Sequence, residues 1–292
     1  MSNPKYEALL RTVELGSLTK AAAALGYTQS GISHMLNALE KEWQLQLLVR
    51  DRSGIRLTSD GMQLLPSIRR VCNAERELEE EIRRLHGLQA GLIRIGMFTS
   101  VAVHWLPTLI KTFHAEYPNI EFKLLHGDYD QIENWIEEGL ADCGFLRLPA
   151  RPGLDTRYLK QDRLLVILPE DHPLADCNFF PVEKLAEEPF ILLDEGTTNE
   201  ITDLFELHRI QPKVRFSAKD DYAIISMVES GLGISILPEL LLHRTPYRVI
   251  RKELSVPAYR RLGIAMKTGK LPSPALSRFL EHLQEGLERL QI

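Results

Sequence analysis

Five polar residues recur at helical spacing between Thr28 and Trp43, namely Gln29, Ser30, Ser33, His34 and Asn37. They carry amides, hydroxyls and an imidazole on short or planar side chains rather than on long salt-bridging ones. Groups of this kind suit hydrogen bonding to base edges in a DNA major groove. The opposite side of the same stretch holds Ile32, Met35, Leu36 and Leu39 at i, i+3, i+4 and i+7, one apolar stripe for burial. Thr28 is placed to cap such a helix by accepting an orphan N–H. Just upstream, Ser17 caps a shorter helix propagated by four alanines, Ala21 to Ala24, at no side-chain entropy cost. Gly26 ends it, since a helix end often needs a left-handed residue. Two helices joined by so short a turn must cross. The plainer alternative is a helical hairpin with an ordinary solvated face.

The surrounding elements follow the same logic. Tyr6, Leu9, Leu10 and Val13 repeat the helical pattern and predict a first helix that closes a three-helix core. Two short apolar runs after Trp43 flank a glycine-containing polar turn, the signature of a hairpin. Its arginines, Arg50, Arg52 and Arg56, are candidates to hold phosphates beside the second helix, or else solvated loop residues. Thr58 caps a long helix in which Ile68, Val71, Glu75, Leu78, Ile82 and Leu85 are spaced three, four, three, four and three apart. That is a heptad seam with one polar interruption. A helix of about 28 residues spans roughly 40 Å. Its heavily charged other faces favour an intermolecular coiled coil through Ile68, Val71, Leu78, Ile82 and Leu85 over packing on its own body.

Beyond Gly91 strands alternate with helices. Strands are expected over 92–97, 120–125, 143–146, 164–168, 190–193, 213–216, 234–237 and 261–267, and helices over 101–116, 132–138, 200–208 and 221–230, with a last helix from Ser273-Pro274. This pattern predicts a mostly parallel, wound sheet in two similar α/β lobes with a cleft between them. The domains read as 1–58, 59–88 and 91–292, the last divided into a first lobe of about 91–161 with 267–292 and a second of about 162–266.

Composition is compatible with this division. The 292 residues are 44% hydrophobic and 26% charged, with a net charge of −5. Residues 1–58 hold seven Lys/Arg and five Asp/Glu, a balance of +2, which leaves −7 on the remainder. A mildly basic head on an acidic body is what a local DNA-binding module on a sensor would show. No apolar run is long enough to span a membrane. The N-terminus lacks a secretory signature, and the scattered Cys72, Cys143 and Cys177 fit a reducing cytoplasm.

At the level of motifs the chain resembles the LysR-type transcriptional regulators. The likeness rests on Gly-Ser-Leu-Thr-Lys-Ala-Ala at 16–22, Thr-Gln-Ser-Gly-Ile-Ser at 28–33, Arg-Leu-Thr-Ser-Asp-Gly at 56–61, His-Pro-Leu at 172–174 and Val-Glu-Ser-Gly-Leu-Gly-Ile-Ser-Ile-Leu-Pro at 228–238. It implies an N-terminal winged helix–turn–helix domain, a dimerising linker helix and a periplasmic-binding-protein-like effector domain. It further implies a homodimer or homotetramer on double-stranded DNA, RNA polymerase as a candidate partner, and a small-molecule effector, often a carboxylate. The chain departs from the family pattern at His34, where arginine is usual, at Trp43-Gln44 for Leu-Gly, at Leu48 for Phe, and at Asp60 for a small residue.

The resemblance puts the effector at the C-terminal ends of the strands, between the lobes, where helix N-termini point inward. Thr99 and Ser100 then face the site from the first lobe, and Thr197, Thr198 and Asn199 from the second. Arg147 is positioned to pair with a carboxylate; His126, Gln131, Asp220 and Tyr222 are further candidates. Each has a structural alternative, because Ser, Thr, Asn and Asp are ordinary helix caps. Enzyme readings find little support: the sequence carries no nucleophile elbow, no phosphate-binding loop, no His-Glu-x-x-His, and no cofactor or metal motif. The rival is an α/β binding protein or enzyme that uses its N-terminal helices only to dimerise. The polar face at Gln29 to His34 speaks against it.

Overall fold

A computed structural model describes residues 4–51, 54–85, 91–194 and 199–290. They form an N-terminal unit and a C-terminal body, each with its own core. In the first, α1 (Pro4–Leu15), α2 (Leu18–Leu25) and α3 (Gln29–Trp43) enclose Ala8, Leu9, Leu18, Ala22, Ile32, Leu36 and Leu39. The caps are those that the sequence predicts. Ser17 Oγ accepts from Lys20 N at 3.4 Å, Gly26 is left-handed at φ 72°, and Thr28 Oγ1 accepts from Gly31 N at 3.1 Å.

After α3 the chain turns at Gln44, which takes φ 55° where glycine is the easier residue. Glu40 compensates: its Oε1 accepts from Leu47 N at 2.7 Å and Leu48 N at 3.0 Å, tying the end of α3 to the following strand. The hairpin β1 (Leu48–Asp51) and β2 (Gly54–Leu57) is antiparallel, with Leu48 opposite Leu57. Thr58 Oγ1 then caps α4 (Ser59–Leu85) by accepting from Gly61 N at 3.0 Å. Gly61 is needed there, because a Cβ would lie 2.4 Å from the carbonyl oxygen of Leu47. On α4, Ile68 is 4% exposed and packs with Cys72 in the N-terminal core. Ile68 therefore belongs to that core and not to the predicted seam. Val71, Leu78 and Ile82 are exposed.

The body is α/β. One sheet has the order β10-β6-β11-β5-β3-β4, with β9 also paired to β6. Its strands are β3 (Gly91–Met97), β4 (Ile120–His126), β5 (Cys143–Arg147), β6 (Leu154–Leu168), β9 (Ser235–Pro238), β10 (Ile250–Glu253) and β11 (Tyr259–Lys267). β7 (Pro189–Leu193) and β8 (Lys213–Ala218) form a separate parallel pair. β6 runs through both lobes: Leu154 to Arg163 pair with β11, and Leu164 to Leu168 pair with β9 and β10. Leu262, Ile264 and Ala265 of β11 lie in the first lobe's core. The chain thus returns to that lobe by residue 259, ahead of the boundary at 267 that the sequence suggests.

Among the described residues seven α-helices complete the body: α5 (Thr99–His104), α6 (Leu106–Glu116), α7 (Tyr129–Glu137), α8 (Glu200–His208), α9 (Asp221–Glu229), α10 (Glu239–Leu242) and α11 (Pro274–Leu290). The single helix expected over 101–116 is broken at Trp105 because Pro107 opens the next one, where its missing N–H costs nothing. Gly96 and Gly144 let α7 sit directly on the sheet, since a Cβ at either would meet Ile132 at under 3 Å. The first core holds Ile93, Ile95, Trp105, Phe113 and Phe145; the second holds Val166, Phe190, Ile225 and Leu237. Among the described residues no helix is long and apolar enough to cross a membrane.

Candidate functional site

The first site is the outer face of α3. Ile32, Leu36 and Leu39 are buried, which fixes the helix by its apolar stripe and turns Gln29, Ser30, His34 and Asn37 outward. Ser33 is half-buried. The Ser30 hydroxyl lies 3.0 Å from Thr28 Oγ1, so it is oriented by the cap itself. Tyr27, immediately before that cap, is an exposed aromatic which the sequence reading passed over. In the wing, Arg56 is exposed and Arg50 pairs through its backbone with Ile55, while Arg52 lies outside the described residues.

The second site is in the body, where the ends of several elements converge on one guanidinium. Arg260 of β11 is 3% exposed. Its Nε donates to Asp162 Oδ2 at 2.9 Å, and its Nη2 lies 2.8 Å from the same oxygen and donates to Ser100 Oγ at 2.7 Å. Its Nη1 donates to the Tyr129 hydroxyl at 3.0 Å and to Glu200 Oε1 at 3.5 Å. The Phe98 ring covers its face, 5.1 Å from Cζ to centroid. Ser100, Tyr129 and Phe98 belong to the first lobe, Glu200 opens α8 in the second, and Asp162 lies on the strand that crosses between them. Asp162 is held from behind, its Oδ1 accepting from Leu240 N at 3.0 Å.

Around this hub the carboxylates outnumber the cations. Asp221, the first residue of α9, is 5% exposed. Burial pushes its carboxyl above the ordinary range, against a hydrogen bond from Thr99 and the charge of Arg260, which pull it down. Glu200 is 6% exposed; its Oε1 accepts from the Tyr129 hydroxyl at 3.3 Å, and its Oε2 is buried without a hydrogen-bond donor among the described residues. Arg147 Nε lies 4.0 Å from that oxygen, an ion-pair distance rather than a hydrogen bond, while Arg147 Nη1 donates to Asp203.

Comparison with known proteins decides what such a pair of sites belongs to. The profile of the bacterial regulatory helix-turn-helix protein, lysR family, matches residues 5–62, and that of the LysR substrate binding domain matches residues 86–288. The chain belongs to the LysR family. YvbU, an uncharacterized HTH-type transcriptional regulator of Bacillus subtilis (strain 168), is 32% identical over 288 residues, 98% of this chain and 98% of that one. Full-length CbnR, solved in complex with its target DNA, shares the fold at a TM-score of 0.71 and 22% identity, over 98% of this chain and 100% of that chain. The regulatory domain of Synechocystis PCC6803 CcmR in complex with 2-PG has a TM-score of 0.63 and 26% identity, covering 67% of this chain and 96% of that chain.

Within this LysR regulator the expected effector residues divide by what they do in the fold. Ser100 meets Arg260, and Thr99 meets both Asp221 and His126, whose Nε2 is 3.3 Å from Thr99 Oγ1. Arg147 faces Glu200. Asn199 caps α8, with Oδ1 accepting from Ile201 N at 3.0 Å and Thr202 N at 2.9 Å, and Asp220 caps α9 through Ala223 N at 2.8 Å. Gln131 closes the turn before α7, its Oε1 accepting from Asp128 N at 3.1 Å. Tyr222 packs against the second core. Thr197 and Thr198 lie outside the described residues. Arg260, Asp162, Tyr129, Glu200 and Asp221 are absent from the sequence-based list. Glu200 and Asp221 carried one usable signal, an acid at the first position of a predicted helix.

Proposed function

We infer that this LysR regulator reads its operator through Gln29, Ser30, Ser33, His34 and Asn37 and grips phosphates with Arg50, Arg52 and Arg56. It dimerises through Val71, Leu78, Ile82 and Leu85 of α4 and is switched by a small molecule bound around Ser100, Thr99, Arg147 and Arg260. The observation that carries this reading is the division of α3. Its apolar stripe is consumed by the N-terminal core, while a run of hydrogen-bonding side chains is left outward. A solvated helix face would more often carry Lys and Glu. The regulator acts in the cytoplasm without enzymatic activity, in keeping with relatives that match it end to end and are transcriptional regulators. CcmR, whose regulatory domain was solved with 2-PG, supports a small-molecule effector for the body.

The test is a fluorescence-anisotropy titration with the duplex upstream of the protein's own gene and an unrelated duplex of equal length. Wild type should prefer the former by about a thousandfold or more. Gln29→Ala should lose about 1–3 kcal/mol on the specific duplex and little on the other. Equal affinity of wild type for both duplexes would refute the operator-reading role.

A further inference from the structure

The arrangement around Arg260 bears on the chemistry of the ligand, and the inference rests on the cleft being the effector site. A cleft built for an anion offers unspent donors. Here the buried guanidinium has all three nitrogens engaged, by Asp162, Ser100, Tyr129 and Glu200, which matches its five N–H donors. The second lobe's helix starts, where an anion is ordinarily received, are already capped by the protein's own side chains, Asn199 on α8 and Asp220 on α9. Arg147 has Asp203 as its hydrogen-bonding partner.

What the surroundings of Arg260 have in surplus is acceptors and negative charge. Asp162 and Glu200, both buried, share one buried arginine at 2.8 and 3.5 Å, and Asp221 is buried at the start of α9. Glu200 Oε2 is a buried carboxylate oxygen lacking a hydrogen-bond donor among the described residues. A buried charged acceptor left unmade is costly, and a ligand that supplies the donor recovers that cost on binding. Arg147 Nε stands 4.0 Å from Oε2, but that residue's hydrogen bond goes to Asp203. A neutral hydroxyl would supply the missing bond alone, whereas a protonated amine adds a cation in direct contact.

We propose that the effector of this regulator carries an ammonium group, which donates to Glu200 Oε2 beside the Arg260 hub. Small amines and amino acids are the class that this chemistry selects, in place of simple organic anions seated on the helix starts.

The experiment is calorimetry and thermal shift on the full-length protein with matched probes. These are the L-amino acids, the 2-hydroxy acid and the deaminated acid of the same skeleton for each, and the primary amines methylamine to butylamine and putrescine. At least one amine-bearing probe should bind, and both its hydroxy and deaminated counterparts should bind about ten- to hundredfold more weakly. The isosteric Glu200→Gln should weaken the amine by a similar factor, with the circular dichroism spectrum checking that the variant is folded. If a hydroxy or deaminated acid binds as well as its amine, or Glu200→Gln binds the amine like wild type, or no amine binds, the ammonium assignment is overturned. Ser100→Ala separates this from a misplaced cleft. An acid whose binding is lost in Ser100→Ala keeps the cleft and rejects the amine. A probe indifferent to Ser100→Ala, Arg147→Ala and Glu200→Gln together rejects the cleft itself.

Discussion

Replacing Arg260 by Met keeps a side chain of similar length and removes the cation from a site with almost no access to water. Asp162 would lose both its contacts from the guanidinium, at 2.9 and 2.8 Å, and Glu200 would lose the charge at 3.5 Å from its Oε1. Removing one partner of a buried ion pair costs about 3–5 kcal/mol, because the other charge stays buried and uncompensated. The lost bonds to Ser100 and Tyr129 place this case toward the upper end. For a body of this size each kcal/mol lowers the melting temperature by about 2–4 °C, so the drop should be about 10 °C or more. Arg163 provides the control, since it also holds two carboxylates, Glu239 at 2.6 Å and Glu253, yet its side chain is 53% exposed. Arg163→Met should cost under about 1 kcal/mol. Adding Asp162→Asn to Arg260→Met should recover part of the loss, whereas Asp162→Asn alone should destabilise, a coupling that a double-mutant cycle measures. Scanning calorimetry of the full chain follows all four variants. Equal small losses for Arg260→Met and Arg163→Met would refute the reasoning that the Arg260 network is a buried, interdependent unit.

Three further outcomes follow from the same structure. Arg56→Ala should reduce the slope of log affinity against log salt by about one unit if the exposed guanidinium holds a phosphate, and an unchanged slope removes it from the interface. Leu78→Lys, at a position 59% exposed on α4, should leave the N-terminal core folded but break the dimer in sedimentation; a variant that stays dimeric and binds DNA normally would exclude Leu78 from the seam. Asp221→Asn should be more stable than wild type at neutral pH. A carboxyl held above its unfolded value destabilises while ionised; that penalty is full above the folded-state value, shrinks as pH falls below it, and is gone below the unfolded-state value. Urea titrations should show the gap closing on acidification, and a gap that widens would reverse the sign of the burial argument.

The parts of this chain legible in its sequence are those fixed by neighbours a few residues away. Ser17, Gly26 and Thr28 cap and stop helices by local bonds, so the helix–turn–helix could be read directly. Gln44 was harder. A left-handed residue without glycine is stabilised by Glu40 reaching to Leu47 and Leu48, a tertiary contact with no local pattern. Ile68 shows the limit of periodicity, for a heptad repeat reports that one face is buried and not whether the partner is the same chain. The Arg260 network is least legible of all. Ser100 and Arg260 are 160 residues apart, and Arg260 sits in the run Tyr259-Arg260-Arg261, which reads as solvated. Its burial comes from Phe98 on one side and Asp162 below, from two different elements.

The Arg260 network also constrains how any ligand can act. It joins Ser100 and Tyr129 in the first lobe to Glu200 in the second through the protein's own groups. An effector bound at the proposed site would compete with, or add to, bonds already made between the lobes. It can shift the balance of states only by its differential affinity for them, typically about 1–3 kcal/mol of coupling. A ligand that merely replaced one donor to Glu200 Oε1 by another would supply almost none of that. One that satisfies Oε2, which has no hydrogen-bond donor among the described residues, gains a bond in the state where Glu200 stays buried and much less where it is solvated. The unmet acceptor, rather than the saturated arginine, is thus where binding energy can be converted into a change of state.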